Sequence, residues 1–215
     1  MTADPCIVHV IDDDASWRKS VERLMSAAGY RVALYESAQM FLETPSVDAP
    51  GCILLDVRMP GLTGLQLQQR LVAMRQALPI VFLSGRGDIP TSVLAMKAGA
   101  EDFLTKPVAT DVLLSAVAQA IARDREDRGK RGQLDATRTL IGTLTPTERK
   151  VFDRVVRGKL NKQIADELRT AERTIKWHRH NLMQKLQIHS LAELVSMAER
   201  LGLIGVHDHT DLESE

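Results

Sequence analysis

The chain has 215 residues with 28 basic and 28 acidic side chains, so its formal net charge is zero. With 44% apolar and 26% charged residues it is composed like a globular protein of one large or two small domains, which excludes wholesale disorder. No apolar run approaches the ~18–20 residues of a bilayer span, Met1–Pro5 lacks the features of a secretory signal, and Cys6 and Cys52 make neither a disulfide framework nor a metal cluster, so a cytoplasmic location without a membrane partner is expected.

The first half alternates between two textures. Cys6–Ile11 is a short apolar run, and Ser16–Ala28 has helical spacing up to Gly29. Arg31–Tyr35 reads as a strand and Ser37–Leu42 as a short helix. Gly51–Leu55 is apolar again, followed by a Met59-Pro60-Gly61 turn. Leu65–Leu78 is helical, with Leu67, Leu71 and Met74 on one face. Pro79–Leu83 is apolar, Thr91–Ala98 helical, Asp102–Thr105 a strand, and Val112–Ala122 a helix without internal Pro or Gly. Five apolar strands alternating with five helices predict an α/β fold, a doubly wound five-stranded parallel sheet of flavodoxin-like order.

Arg123–Gly132 carries eight charges in ten residues and cannot be core; it reads as the solvated end of the fifth helix or as a linker. Ala136–Ile141, beyond that stretch, is a candidate short helix, so residues 124–142 form a partly helical linker. Beyond it the pattern is helical throughout. Thr145 caps, Pro146 sits at the first helical position, and Glu148 completes a capping box; this helix stops at Gly158. Asn161 can cap a second helix, Lys162–Leu168. A turn of three or four residues precedes a third helix that runs to Leu186, and Ser190 caps a fourth that ends at Gly202. Two helices joined so tightly, the second rich in basic residues, predict a smaller all-α domain with a helix-turn-helix. The expected division is therefore 1–123, linker 124–142, 143–206, and an acidic tail 207–215. Net charge follows it, at −2 through Arg123, +1 across the linker, +5 from Thr143 to Val206, and −4 in the tail.

In a parallel sheet, sites form where the chain leaves the carboxyl ends of strands. Those ends here carry Asp12-Asp13-Asp14, Asp56, Ser84-Gly85 and Lys106-Pro107. Crowded carboxylates repel and need neutralising, and Mg²⁺ suits one to three carboxylates with water and phosphate. A carboxylate such as Asp56 beside a metal and the Lys106 ammonium can accept a phosphoryl group, and Ser84 can donate to one of its oxygens. A lysine before Pro107 is also compatible with a cis bond that directs it. Each residue has a plainer reading. Asp12–Asp14 can cap a helix, Asp56 can be a turn residue, and Lys106 can lie on the surface. Their coincidence at one sheet edge favours the pocket. A phosphatase of the haloacid dehalogenase type would use similar groups, but it needs a second Asp where Arg58 stands.

Ile11–Asp14, Leu54–Gly61, Phe82–Gly85 and Phe103–Pro107 are similar, in order and spacing, to the motifs of response-regulator receiver domains of two-component signalling. Ser84–Pro90 with Ala95–Ala100 resembles the FixJ branch of the NarL/FixJ type. The resemblance implies a regulator rather than an enzyme. Asp56 would be phosphorylated by a sensor histidine kinase. Asp12, Asp13, Asp56 and the backbone carbonyl of Arg58 would hold Mg²⁺. Ser84 and Lys106 would contact the phosphoryl group, and Phe103 would be the aromatic switch as well as a core residue. Ser84 replaces a commoner Thr, Arg86 a frequent His, and Val108 a frequent Phe.

In the second half, Ile175, Leu182 and Leu186 share one helix face. Arg173, Lys176, Trp177, His180 and Gln184 lie opposite. This is what a major-groove helix requires. Lys176, Trp177 and His180 lead as base-edge contacts, with Arg173 and Gln184 reaching bases or phosphates and Lys162 a phosphate. The bland alternative is a solvated basic face, with Trp177 partly packed. Arg179 is expected to pair with an acid such as Glu193. Leu144–Arg149, Gly158, Asn161–Ala165, Thr174–Lys176, His178 and Asn181–Leu186 resemble a LuxR-type DNA-binding domain. Ala171 stands where relatives often have a Ser cap, and Thr170 is the candidate substitute. The resemblance implies double-stranded promoter DNA as partner, RNA polymerase as a further one, and a homodimer formed on phosphorylation.

Overall fold

The computed structural model describes residues 6–44, 49–74, 76, 78–85 and 89–204. Arg86 and the acidic tail 207–215, both singled out from the sequence, lie outside these. The chain divides into two compact units, Met1–Arg128 and Gly129–Glu215.

The first unit holds β1 (Ile7–Ile11), α1 (Ala15–Ala27), β2 (Arg31–Tyr35), α2 (Ala38–Glu43), β3 (Gly51–Asp56), α3 (Gly64–Ala73), β4 (Ile80–Ser84), α4 (Ile89–Lys97), β5 (Asp102–Thr105) and the start of α5 (Thr110–Gly142). The strands are all parallel in the order β2-β1-β3-β4-β5. Helices cover both faces, so β1, β3 and β4 are buried along their whole length. That is why these strands read as unbroken apolar runs rather than as alternations. One face packs Val8, Val10, Leu54, Val81 and Leu83 against Val117 and Ile121; the other packs Ile11, Ile53, Leu55 and Phe82 against Leu67 and Leu71.

Local chemistry sets the helix ends. Asp14 caps α1, accepting from the N–H groups of Ser16 (2.8 Å) and Trp17 (3.1 Å). Thr63 and Gln66 form a capping box on α3 that the sequence reading passed over. Gly64 follows because a Cβ there would lie 2.3 Å from the carbonyl oxygen of Asp56. α3 is shorter than its apolar spacing suggests. It ends at Ala73, so Met74 is exposed while Leu67 and Leu71 are buried.

The expected linker 124–142 is helical from end to end as part of α5. Ion pairs between residues three or four apart support it, among them Arg123–Asp127 at 3.2 Å and Arg138–Asp135 at 3.0 Å. The charged stretch is not wholly solvated, however. Asp124 is 1% exposed and accepts from the backbone N–H of Gly51 (3.0 Å) and from Arg128 Nε (2.8 Å). Those donors make burial of the carboxylate tolerable.

The second unit holds α6 (Pro146–Val155), α7 (Asn161–Glu167), α8 (Glu172–Lys185) and α9 (Leu191–Arg200). Its core gathers Val151, Phe152, Ile164, Ile175, Leu182 and Leu194. Thr145, Pro146 and Glu148 begin α6 as expected, and Ser190 caps α9. Asn161 does not cap α7. It is already helical, and the side chain of Gln163 accepts from the N–H of Leu160 instead. Ala171 holds the cap position before α8 and no side chain caps the helix, so Thr170 does not substitute.

His9 on β1 is buried, with its Nδ1 3.2 Å from the hydroxyl of Tyr35 and its ring against Tyr35 and Phe41. Burial lowers its pKa to about 4. Below the ordinary value of 6.5, the unfolded chain therefore takes a proton that the folded chain refuses. We expect stability to fall between those two pH values, by about 3 kcal/mol in all. His9→Phe should flatten that slope in urea titrations at stepped pH.

Candidate phosphoacceptor pocket and basic helix

The strand order reverses direction at β1, which lies between β2 and β3, and the crevice at the carboxyl ends of β1 and β3 is where such folds bind ligands. Asp12 follows β1, Asp56 ends β3, Ser84 ends β4, and Lys106 follows β5. Asp12, Asp56 and Ser84 are all buried. Lys106 Nζ lies 2.5 Å from Asp12 Oδ2 and 2.8 Å from Asp56 Oδ1, bridging two carboxylates from different strands. Its backbone N–H donates to the Ser84 carbonyl at 2.7 Å, which brings the end of β4 into the same seam. The Lys106-Pro107 bond is cis.

Backbone donors hold the far oxygens. Asp56 Oδ2 accepts from the N–H of Arg58 at 2.8 Å, and Asp12 Oδ1 from the N–H of Asp14 at 2.9 Å. Burial raises the pKa of Asp12, against the opposing pull of Lys106 and the Asp14 N–H. Burial also works against the Lys106 ammonium, but its hydrogen bonds to Asp12 and Asp56 outweigh it and raise that pKa. Two carboxylates against one ammonium leave the seam with a net negative charge.

The three adjacent aspartates part company. Asp12 enters the pocket, Asp14 caps α1, and Asp13 is exposed. Among the described residues no three His, Cys, Asp or Glu side chains gather to hold a metal. Asp12 and Asp56 share the Lys106 ammonium, while Asp13 is exposed. The donors still fit Mg²⁺ in kind. It commonly takes one or two carboxylates and keeps several waters. Phe103 is half-buried on β5, in register with Phe82, their ring centroids 6.1 Å apart. The sequence reading missed Trp17, whose ring lies 5.0 Å from Lys106 Nζ. A lone aromatic five residues beyond Asp12 gives no sequence signal of that contact.

In the second unit, Lys162, Arg173, Lys176, Trp177, His180 and Gln184 are all exposed, while Ile175, Leu182 and Leu186 are buried. Trp177 is 60% exposed, so it belongs to the outward face rather than the core. Lys176 pairs with Glu172 at 3.1 Å. Arg179 does not pair with Glu193. It donates to Asn161 Oδ1 at 2.7 Å and so ties α8 to the start of α7, while Glu193 accepts from the N–H of His189 at 2.9 Å. No helix among the described residues is long and apolar enough to cross a membrane.

Residues 8–118 match the response regulator receiver domain, and residues 142–198 the luxR family of bacterial regulatory proteins. Nodulation protein W of Bradyrhizobium diazoefficiens is 42% identical over 94% of this chain and 88% of its own length. The transcriptional regulatory protein FixJ of the same organism is 40% identical over 92% of this chain and 96% of its own. The structure of the response regulator StyR superposes with a TM-score of 0.81 at 44% identity, covering 92% of this chain and all of that one.

Removing the bridging cation isolates what it does. Lys106→Met leaves two buried carboxylates uncompensated, so we expect a loss of about 3 kcal/mol near neutral pH. Asp12 then binds its proton more tightly in the folded than in the unfolded chain. The loss should therefore shrink as pH falls, the direction that urea titrations at stepped pH would check.

Proposed function

The chain belongs to the two-component response regulators that join a receiver domain to a LuxR-type DNA-binding domain, and from that premise we propose that Asp56 accepts a phosphoryl group from a sensor histidine kinase and that this controls DNA binding. Phosphoacceptance is assigned to residues 1–123 and DNA binding to residues 143–206. The observation that carries the reading is Lys106 Nζ bridging Asp12 and Asp56 in the crevice at the end of the sheet.

An oxygen of the Asp56 carboxylate attacks phosphorus, and the bond from phosphorus to the donor breaks. The leaving group is the kinase histidine, or acetate when acetyl phosphate is the donor. Asp12, Asp56 and the carbonyl of Arg58 would hold Mg²⁺, with Asp13 acting through water, and the ion when bound would neutralise charge on the transferred oxygens. Lys106 donates to one phosphoryl oxygen and the Ser84 hydroxyl to another. Burial of Asp56 limits the access of bulk water.

The phosphoryl group carries about −1.5 to −2 charges in place of the single charge of the Asp56 carboxylate, in a seam where one ammonium already faces two carboxylates. Drawing Lys106 and Ser84 toward that charge biases a two-state equilibrium at β5 and Phe103. The exposed apolar residues Ile89, Val93 and Leu94 on α4 and Val112 on α5 support a dimer formed through this face. Two copies of α8 would then read two half-sites of a roughly symmetric operator. Lys176, Trp177 and His180 are assigned to base edges, Arg173 and Gln184 to bases or phosphates, and Lys162 to the phosphate backbone.

Asp56→Asn should abolish both the mass gain of one phosphoryl group from acetyl phosphate with Mg²⁺ and the difference in DNA binding between treated and untreated chains. Intact mass and a duplex-binding titration read the two effects separately. Lys162→Ala should weaken binding about equally across duplex sequences and lower the salt slope by about 1. A salt titration of the phosphorylated chain on a duplex that it binds tightly and on an unrelated one measures both.

A further inference from the structure

Trp17 lies in the first turn of α1, where its backbone N–H donates to the capping carboxylate of Asp14 at 3.1 Å. The cap thus anchors the indole close to the chain segment that supplies Asp12. The ring is half-buried and packs at the margin of the core formed by β1, β3 and α5. Its centroid lies 5.0 Å from Lys106 Nζ, within range of a cation–π contact. The indole N–H is buried with no acceptor among the described residues. An unpaired donor is unfavourable, and a leucine would fill such a place without one. The ring face is what an indole supplies here and an aliphatic side chain does not.

An ammonium has three N–H donors. Those of Lys106 serve Asp12 Oδ2 and Asp56 Oδ1, and Trp17 offers a π face to the same charge. A lysine on a flexible four-carbon stem, 19% exposed, has other rotamers that reach solvent. The π face favours the rotamer that keeps the ammonium over the carboxylates. We propose that Trp17 is a positioning residue for phosphoryl transfer to Asp56, holding Lys106 by a cation–π contact until the ammonium engages the transferred phosphoryl oxygens. This rests on the phosphoryl reading of Asp56 and adds to it a group that touches neither phosphate nor metal.

The test uses the full chain with acetyl phosphate and Mg²⁺. Intact mass gives the rate of phosphorylation, and the emission of Trp17 is isolated as the difference between the intact chain and Trp17→Phe. Trp17→Leu should slow phosphorylation about 5-fold, whereas Trp17→Phe, which keeps a π face, should stay within about 2-fold of the intact chain. The Trp17 emission should change as the mass rises, because the ammonium leaves its ring. Equal slowing by Leu and Phe would make Trp17 a packing residue and overturn the proposal, as would an unslowed Trp17→Leu. A mass gain with unchanged Trp17 emission would overturn it while leaving Asp56 as acceptor. No mass gain in the intact chain would overturn both readings.

Discussion

One ammonium between two buried carboxylates organises the receiver unit. Lys106 comes from the end of β5, and Asp12 and Asp56 from the ends of β1 and β3. Removing a charge from water is costly unless a partner stands at hydrogen-bond distance. The sheet must therefore hold three strand ends in register within a few tenths of an ångström. Buried strands paired in parallel do this, and the backbone donors of Arg58 and Asp14 hold the remaining carboxylate oxygens. The seam is left short of positive charge. That shortfall suits a site built to receive a cation, and the proposed phosphoryl group would compete with the carboxylates for Lys106.

The helical unit rests on a different balance. Ile175, Leu182 and Leu186 bury one stripe of α8 against the core, which leaves the cationic and aromatic residues of the opposite side in water. Glu148 links α6 to α8. It closes the capping box of α6 and accepts from Lys185 at the end of α8 at 2.6 Å. Arg179 bonded to Asn161 fixes α8 against the start of α7. The exposed face is thus presented by a helix held at both its middle and its end.

Some residues were hard to read for a common reason. The run Asp12-Asp13-Asp14 supports three environments, and no local pattern separates the buried carboxylate from the cap and from the exposed side chain. Asp124 sat in a run of charges that looked solvated, and its buried carboxylate is met by the N–H of Gly51, 73 residues away in sequence. Met74 matched the apolar spacing of α3, but the helix ends before it is turned inward.

From the chain alone one can read the two modules, the alternation of strands with helices, the strand-end positions of Asp12, Asp56, Ser84 and Lys106, and the amphipathic face of α8. These are local properties: periodicity, caps and the place where a polar residue ends an apolar run. Tertiary structure alone decided which of three aspartates meets Lys106, that Trp17 lies beside the same ammonium, and that Arg179 turns to Asn161. Each of those depends on a distance between residues from different elements. Only the packing of strands and helices sets such a distance.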